Sequence, residues 1–175
     1  MIDQRHSITI KAPLAEVWGE ITRLRGIQKP MFNTVLEATF EPGGRMLYRS
    51  EDGKRVFIIG EVMECEPPHR LVHTFRFTTA DEDPTLVTWD LSETSEGVRV
   101  TVVHSRFSDQ AVTHKSVLTS WPTILANYKA VLERGSVPLG TRVKHRLMQA
   151  FAFMMPAATR TEAATRLTTS LPDEH

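Results

Sequence analysis

Residues 34–107 consist of short segments in which apolar and polar side chains alternate, and this feature limits the fold more than any other. Alternate side chains of a strand point to opposite faces of its sheet, so the alternation predicts β-strands. The segments are separated by brief turn signals: EPGG (41–44), EDG (51–53), EPP (66–68) and TSEG (94–97). Connections this short join neighbouring antiparallel strands. The sequence therefore predicts one antiparallel meander, with the double proline in a tight return between two strands.

Segments of helical period flank these strands. A first strand, HSITIKA, leads into APLAEVWGEITRL, where Pro13 suits the first turn of a helix and Gly26 its end. The long segment 114–135 returns to helical spacing and stops at Gly135, and Pro122 lies either near its start or at a kink. Its broad apolar face comprises Val117, Trp121, Ile124, Leu125, Tyr128 and Leu132.

The order strand, helix, many strands, long helix predicts an α+β fold. Each element has one apolar side, and these sides are buried together when a curved antiparallel sheet wraps around the long carboxy-terminal helix. We expect about six or seven strands. With 175 residues, the chain is long enough for one ordinary domain with a substantial core.

Composition excludes several classes of protein. Lys and Arg total 21 and Asp and Glu total 21. The chain thus lacks the excess of basic residues that is typical of nucleic-acid-binding proteins. The single cysteine, Cys65, excludes an internal disulfide and is interpreted as a small strand residue. The start of the chain lacks a signal-like apolar core, and no apolar run is long enough to cross a bilayer. We therefore expect a cytoplasmic protein.

Alternation also predicts which side chains face a cavity between sheet and helix. His73 and His104 share their faces with apolar and aromatic residues, so both imidazoles are predicted to point inward. A desolvated imidazole stays neutral near pH 7, and it could orient a polar group or act as a general base. The predicted ligand-binding set is Met46, Tyr48, Leu71, His73, Phe75, Phe77, Val87, Trp89, Leu91, Val102, His104, Trp121, Leu125 and Tyr128.

The alternative for each of these residues is a purely structural role. An inward histidine is more often a satisfied core residue than a catalyst, and a buried phenol often finds a partner within the protein. The strand at residues 55–65 is apolar on both sides, so its inward face stays open, with Val56, Ile58 and Val62 on one side and Phe57, Ile59 and Met63 on the other. Something outside the sheet could cover one of these sides.

The sequence contains no motif that indicates nucleotide binding, a metal site or a known catalytic set. No glycine-rich stretch has nucleotide-binding spacing, and HExxH, CxxC and GxSxG do not occur. The seven histidines are scattered singly, so neither a metal site nor a cofactor is predicted. Glu61, Glu64 and Glu66 are interpreted as a solvated strand edge.

Several segments together resemble the SRPBCC superfamily of START-like, helix-grip proteins, and most closely the homologues of the heat-shock chaperone ATPase activator and polyketide cyclase-like proteins. The matching segments are IKAPLAEVWGEIT (10–22), EPGGRM (41–46), GEVMECEPPHRLVHTF (60–75), VRVTVVHSRF (98–107) and SWPTILANYKAVLERG (120–135). The resemblance implies a deep cavity between sheet and helix for an apolar or amphipathic molecule. It implies no shared catalytic set, because the superfamily includes binders, cyclases, hydrolases and chaperone partners.

The resemblance ends near Gly135, so the chain divides into a START-like domain, residues 1–135, and a carboxy-terminal extension, residues 136–175. In the extension, RVKHRLMQAFAFMMPAA is predicted to be a helix, with basic residues first and Leu147, Met148, Phe151, Phe153, Met154 and Met155 later. It could cover the outer side of the sheet, form a homodimer, or lie on a membrane surface, in that order of preference.

Three functions follow from these expectations. The first is binding of a small hydrophobic ligand between sheet and helix. The second is cyclase or hydrolase catalysis with His73 or His104 as general base. The third is a chaperone-type interaction module.

Overall fold

The computed structural model of the chain describes residues 3–108, 112–150 and 156–163, and for residues 112 and 148–150 it describes the main chain only. The strands are β1 (Gln4–Ile10), β2 (Ile27–Gln28), β3 (Thr34–Ala38), β4 (Arg45–Arg49), β5 (Val56–Glu66), β6 (Arg70–Phe77), β7 (Thr85–Thr94) and β8 (Gly97–Ser105). The helices are α1 (Leu14–Ile21), α2 (Val112–Arg134) and α3 (Leu139–Ala150), with short 3₁₀ turns at Lys29–Met31 and Ala157–Thr159.

All eight strands form one antiparallel sheet in the order β1-β8-β7-β6-β5-β4-β3-β2. The predicted meander is confirmed from β3 to β8, and β1 returns to pair with β8. The strand beyond the six or seven expected is β2, whose two residues are too few to show alternation. The α+β helix-grip prediction is thus correct, because α2 packs across the inner face of this sheet against β1 and the 3₁₀ turn at Lys29–Met31.

The inner face of the sheet and α2 enclose the main core. Val87, Trp89 and Leu91 of β7 are buried there, as are Trp121 and other residues from the predicted face of α2. At roughly 1.5–3 kcal/mol for each large apolar side chain, burial on this scale is the main stabilising term of the fold. Alternation therefore identified the inward residues of β6, β7 and β8 correctly.

Strand β5 has its inner face at Ile58 and Val62, which pack in the main core. Val56 does not share that face, because the pairing of β4 with β5 shifts between Tyr48 and Arg49. Val56 instead forms a second buried cluster with Leu47 and Ile59 on the outer side of the sheet. A regular alternation cannot follow such a shift, so the face of this strand stayed undecided in the sequence.

Two sequence interpretations need correction, and one question that the sequence left open is decided. Helix α1 ends at Ile21 rather than near Gly26, since the side-chain amide of Gln28 donates to the carbonyl oxygens of Ile21 and Arg23 at 3.1 Å. For Pro122, which the sequence placed either near the start of the long helix or at a kink, the structure shows a position inside α2. Glu61, Glu64 and Glu66 are not on a strand edge, because β5 lies between β4 and β6; Glu64 accepts a hydrogen bond from Arg70 at 2.8 Å.

The described part of the extension contacts the START-like region at two places. On α3, the ring of His145 lies 5.3 Å from the ring of Phe32. Farther along, the Arg55 guanidinium donates to the Thr159 hydroxyl at 2.6 Å, and Thr161 bonds to Gly53 and Lys54. The described part of the extension thus contacts the segment at Phe32 and the β4–β5 hairpin, and the expectation that it covers the outer side of the sheet stays a prediction. The predicted helix begins earlier, at Leu139, and Phe151, Phe153, Met154 and Met155 lie outside the described residues.

Candidate functional site

A cleft of about 1700 Å³ opens at one end of the space between the sheet and α2. Its sheet wall is formed by Ile58 of β5 and by Phe75 and Phe77 at the end of β6. The helix wall carries the apolar residues Val117, Trp121 and Ile124 of α2. The remaining walls are the segment around Phe32, the β4–β5 hairpin and, from the extension, Lys144 and residues 159–162.

Aromatic rings line the inner part of this cleft. The rings of Phe75 and Phe77 meet edge to face, with centroids 4.9 Å apart. Phe75 also contacts His104 edge to face at 5.0 Å. Aromatic pairs in this geometry contribute about 0.5–1.5 kcal/mol beyond the burial of their surface. The result is a preformed apolar surface with a few convergent polar groups, which is the composition of many small-molecule sites.

Three of the predicted ligand-binding residues line the cleft, namely Phe75, Phe77 and Trp121. The others lie deeper, in the packed core beyond the cleft: Met46, Tyr48, Leu71, His73, Val87, Trp89, Leu91, Val102, His104, Leu125 and Tyr128. Both groups share the inner side of the fold but differ in their position along it. Alternation predicts which side of the sheet a residue faces, but it does not predict whether the residue lies in the core or at the cleft.

His104 is held in a chain of hydrogen bonds that leaves neither ring nitrogen free. The indole N–H of Trp121 can only donate, so Nδ1 of His104 accepts from it at 3.0 Å. Nε2 therefore carries the proton and donates to the Thr85 hydroxyl at 2.6 Å, and that hydroxyl donates to the Phe75 carbonyl oxygen at 2.8 Å. Burial, with smaller contributions from His73 and His114, lowers the pKa of His104 to about 3. His104 is thus a neutral, satisfied core residue.

His73 differs because one of its nitrogens lacks a partner. Nδ1 donates to the carbonyl oxygen of Thr74 at 2.8 Å, which leaves Nε2 as a bare acceptor. Nε2 is buried and has no hydrogen-bond partner among the described residues. Burial lowers the pKa of His73 to about 4, and the bond to Thr74 only partly opposes this. An imidazole with so low a pKa stays neutral near pH 7 but is a weak base.

Both tyrosines of the predicted set are buried, and Tyr128 has a hydrogen-bond partner within the protein. Tyr128 donates to the side-chain oxygen of Gln28 at 3.2 Å, and Gln28 in turn caps the end of α1. Burial raises the pKa of Tyr128 and of Tyr48 well above the usual phenol value. Both hydroxyls therefore stay protonated under ordinary conditions, and the Tyr128 bond ties α2 to the segment after α1.

Sequence reasoning missed two parts of the cleft. Val117 and Ile124 lie on the predicted face of α2 beside Trp121, so the helical period already pointed to them. Thr85 is inward on β7 by the same alternation that selected Val87; it does not line the cleft but holds His104 through a hydrogen bond. Lys144 and residues 159–162 carried no such signal, because the resemblance ended before the extension.

Among the described residues, no group of three or more His, Cys, Asp or Glu side chains is placed to hold a metal ion. Within the same ranges, no helix is long and apolar enough to cross a membrane. Cys65 is half-buried, and burial raises the pKa of its thiol.

Comparison with solved structures finds the same fold in several proteins. DynU16, from the dynemicin biosynthetic locus, is 24% identical with a TM-score of 0.64; the match covers 77% of this chain and 48% of DynU16, so this chain spans about half of that protein. The Aha1 dimer from Colwellia psychrerythraea is 19% identical with a TM-score of 0.62, covering 77% and 98%. CalU16 from Micromonospora echinospora is 21% identical with a TM-score of 0.55, covering 83% and 80%.

At these identities the structural likeness shows the fold alone. Comparison with curated protein sequences gave no match. The sequence profile of Activator of Hsp90 ATPase homolog 1-like proteins matches residues 11–133, from the end of β1 almost to the end of α2. That stretch contains seven of the eight strands and the helix they grip, and the chain therefore belongs to the Activator of Hsp90 ATPase homolog 1-like family, within the SRPBCC-type proteins.

Proposed function

We propose that the chain binds an apolar or amphipathic small molecule in the cleft between the sheet and α2. The observation that carries this proposal is the aromatic wall formed by Phe75, Phe77 and Trp121, which lines an open space of about 1700 Å³. Burying a ligand against such a wall contributes roughly 25 cal/mol per Å² of apolar surface removed from water. The neighbours DynU16 and CalU16 are consistent with a role of this kind, since DynU16 belongs to a biosynthetic locus.

A blocked cleft tests the proposal. Thr123 lines the cleft from an exposed position on α2, so Thr123→Trp should fill the opening without entering the core. Leu118 is exposed on the same helix and does not line the cleft, which makes Leu118→Trp the matched control. Thermal unfolding is measured with a panel of fatty acids, alkanols and fused-ring aromatics.

A ligand present at 100 times its dissociation constant stabilises the folded state by about 2.7 kcal/mol. We expect that stabilisation in the unmodified chain and in Leu118→Trp, and its loss in Thr123→Trp. Equal stabilisation of all three proteins would place the ligand elsewhere, and no stabilisation by any compound would refute small-molecule binding.

Catalysis receives less support from the geometry. His104 has no free nitrogen, and His73, with a pKa of about 4, keeps one that is buried beneath the cleft rather than in its wall. A general base works best when its pKa lies near the working pH. Binding is therefore the function that we favour over proton abstraction.

We also propose that a second copy of this chain docks on α3. Leu139, Val143 and Leu147 follow each other at four-residue intervals on that helix, and all three are more than half exposed. Residues at this spacing form one stripe, whereas His145 on another side of the helix is buried. The neighbouring Aha1 structure is that of a dimer, which favours a second copy as the partner.

Light scattering across a dilution series tests this dimer. We expect a dimeric full chain, and monomers both for the double variant Val143→Glu/Leu147→Glu and for residues 1–135 alone. Leu118→Glu, an exposed change on α2, should leave the dimer intact. A monomeric full chain at high concentration, or a dimeric double variant, would contradict the assignment to α3.

A further inference from the structure

Ten serine and threonine side chains line the cleft, and seven of them donate their hydroxyl protons to oxygen atoms of the protein. Thr78 of the sheet wall donates to the carbonyl oxygen of Val56 at 2.8 Å. Thr34, beside the 3₁₀ turn, donates to the carbonyl oxygen of Met31 at 2.7 Å. Both threonines are buried, so these bonds are shielded from water. Each oxygen keeps a lone pair but no proton for a ligand.

The same pattern holds on the helix wall. The hydroxyl of Ser120 donates to the Ser116 carbonyl oxygen at 2.7 Å, and that of Thr123 donates to the Thr119 carbonyl oxygen at 3.3 Å. Such bonds to the preceding turn are the usual choice of these side chains in helix interiors. Because a hydroxyl has one proton, Ser120 and Thr123 also face the cleft as acceptors.

Three hydroxyls of the extension and the β4–β5 hairpin also donate their protons to oxygen atoms of the protein. Thr159 donates to the Pro156 carbonyl oxygen at 2.8 Å, and Thr161 donates to the Gly53 carbonyl oxygen at 2.6 Å. Ser50 donates to the Asp52 carboxylate at 2.6 Å. Seven hydroxyls from five parts of the fold therefore present oxygen acceptors to one space.

Most of the charged hydrogen-bond donors of the cleft lie at its rim. Lys54, Lys144 and Arg160 line the cleft from exposed positions, where water competes for their protons. The acidic side chains Glu51, Asp52 and Glu162 also line it, so this rim has no strong excess of either charge. The half-buried amide of Asn33 is both a donor and an acceptor. The seven acceptor oxygens favour ligands that carry hydrogen-bond donors, whereas the mixed charges of the rim favour neither sign of charge.

We propose that the cleft selects amphipathic molecules whose apolar body carries hydroxyl or N–H donors, and that it discriminates against ethers and esters of the same shape. This inference rests on the proposed function and names the class of ligand for that site. A ligand hydroxyl can donate to the oxygens of Ser120 and Thr123 while its apolar body contacts Trp121. An ether oxygen in the same place loses its water and meets another acceptor, which is unfavourable.

Matched pairs of probes test the inference. Naphthol is compared with methoxynaphthalene, and decanol with methyl decyl ether, by calorimetric titration into the full chain. The ethers are the more apolar members, so burial alone would favour them. One net hydrogen bond of about 0.5–1.5 kcal/mol corresponds to roughly two- to tenfold tighter binding of each hydroxylated member.

Two variants assign the effect to the helix wall. Ser120→Ala/Thr123→Val removes both oxygens with little change of shape and should abolish the preference while the ethers still bind. The control Thr88→Val changes a threonine on the outer face of β7, outside the cleft, and should keep the preference.

The outcomes separate this inference from the proposed function. If every probe binds but the ethers bind as tightly as the alcohols or more tightly, the cleft is a ligand site and the donor preference is refuted. If the double variant retains the full preference, the assignment to Ser120 and Thr123 is refuted. If none of the four probes binds, the proposed function fails, and the ligand class fails with it.

Discussion

His73 and His104 lie on neighbouring inward positions of the sheet, yet the surrounding atoms give them different chemistry. Val87 of β7 pairs with His73 on one side and with His104 on the other. His104 finds a donor in Trp121 and an acceptor in Thr85, whereas His73 finds a partner for only one nitrogen. Alternation predicted that both imidazoles point inward, which is correct. Their partners come from a helix and a strand end that alternation does not describe.

These histidines give the fold a defined response to acid. In the unfolded chain both titrate near pH 6.5, whereas in the folded chain their pKa values are about 4 and about 3. Well above pH 6.5 these two histidines are unprotonated in both states, so they add no pH dependence to the free energy of unfolding. As the pH falls below 6.5, the unfolded state takes up protons that the folded state refuses, and stability is lost until the folded pKa values are passed.

Each of the two histidines contributes a slope of about 1.4 kcal/mol per pH unit within this window. Chemical denaturation at pH values from 7.5 down to 4.5 measures it. The variant His73→Phe, which keeps a planar ring at this position, should lower the slope by about 1.4 kcal/mol per pH unit. A variant with the same slope as the unmodified chain would show that His73 is accessible to protons in the folded state.

At the scale of the elements, β5 shows why a long strand can carry both a core and a second cluster. Its pairing shifts against β4 near Arg49 and against β6 between Val62 and Glu64. Between these shifts, Gly60 passes so close to β6 that a Cβ atom there would overlap the carbonyl oxygen of Thr74. The absence of a side chain at this position therefore permits the local path of the strand.

Two glycine-to-alanine changes should have opposite effects. Gly60→Ala forces the backbones of β5 and β6 apart, and overpacking of this kind costs about 1–3 kcal/mol or more. Gly19→Ala on α1 meets no atom within 4 Å and should stabilise the chain by roughly 0.5–1 kcal/mol, because alanine favours the helix. Urea unfolding compares the two variants. A neutral Gly60→Ala would mean that β5 and β6 separate at little cost.

For the whole molecule, the sequence predicted the class of fold because each part of it agreed with the rest. Alternation gave the sheet, the helical period gave α2, and the short turns gave the antiparallel order. The cleft could not be predicted in the same way. Leu71 and Phe77 share one face of β6, but Leu71 is buried in the core whereas Phe77 lines the cleft. That difference depends on how far α2 and the extension reach along the sheet.

We propose that the START-like region, residues 1–135, is the unit that folds and that residues 136–175 are added to it. All eight strands and α2 lie within the first range, and the extension reaches it through Phe32 and the β4–β5 hairpin. The shortened chain that tests dimer formation also tests this boundary, and we expect it to unfold cooperatively. A shortened chain without a cooperative transition would make the extension part of the folding unit.

The position of β1 at the end of the sheet has a consequence for synthesis in the cell. Its partner is β8, and Gln4 pairs with His104, which is synthesised about 100 residues later. At 5–20 residues per second, a ribosome needs roughly 5–20 s to deliver that partner. During this interval β1 lacks its partner β8, so its backbone N–H and C=O groups are available for pairing with other polypeptides.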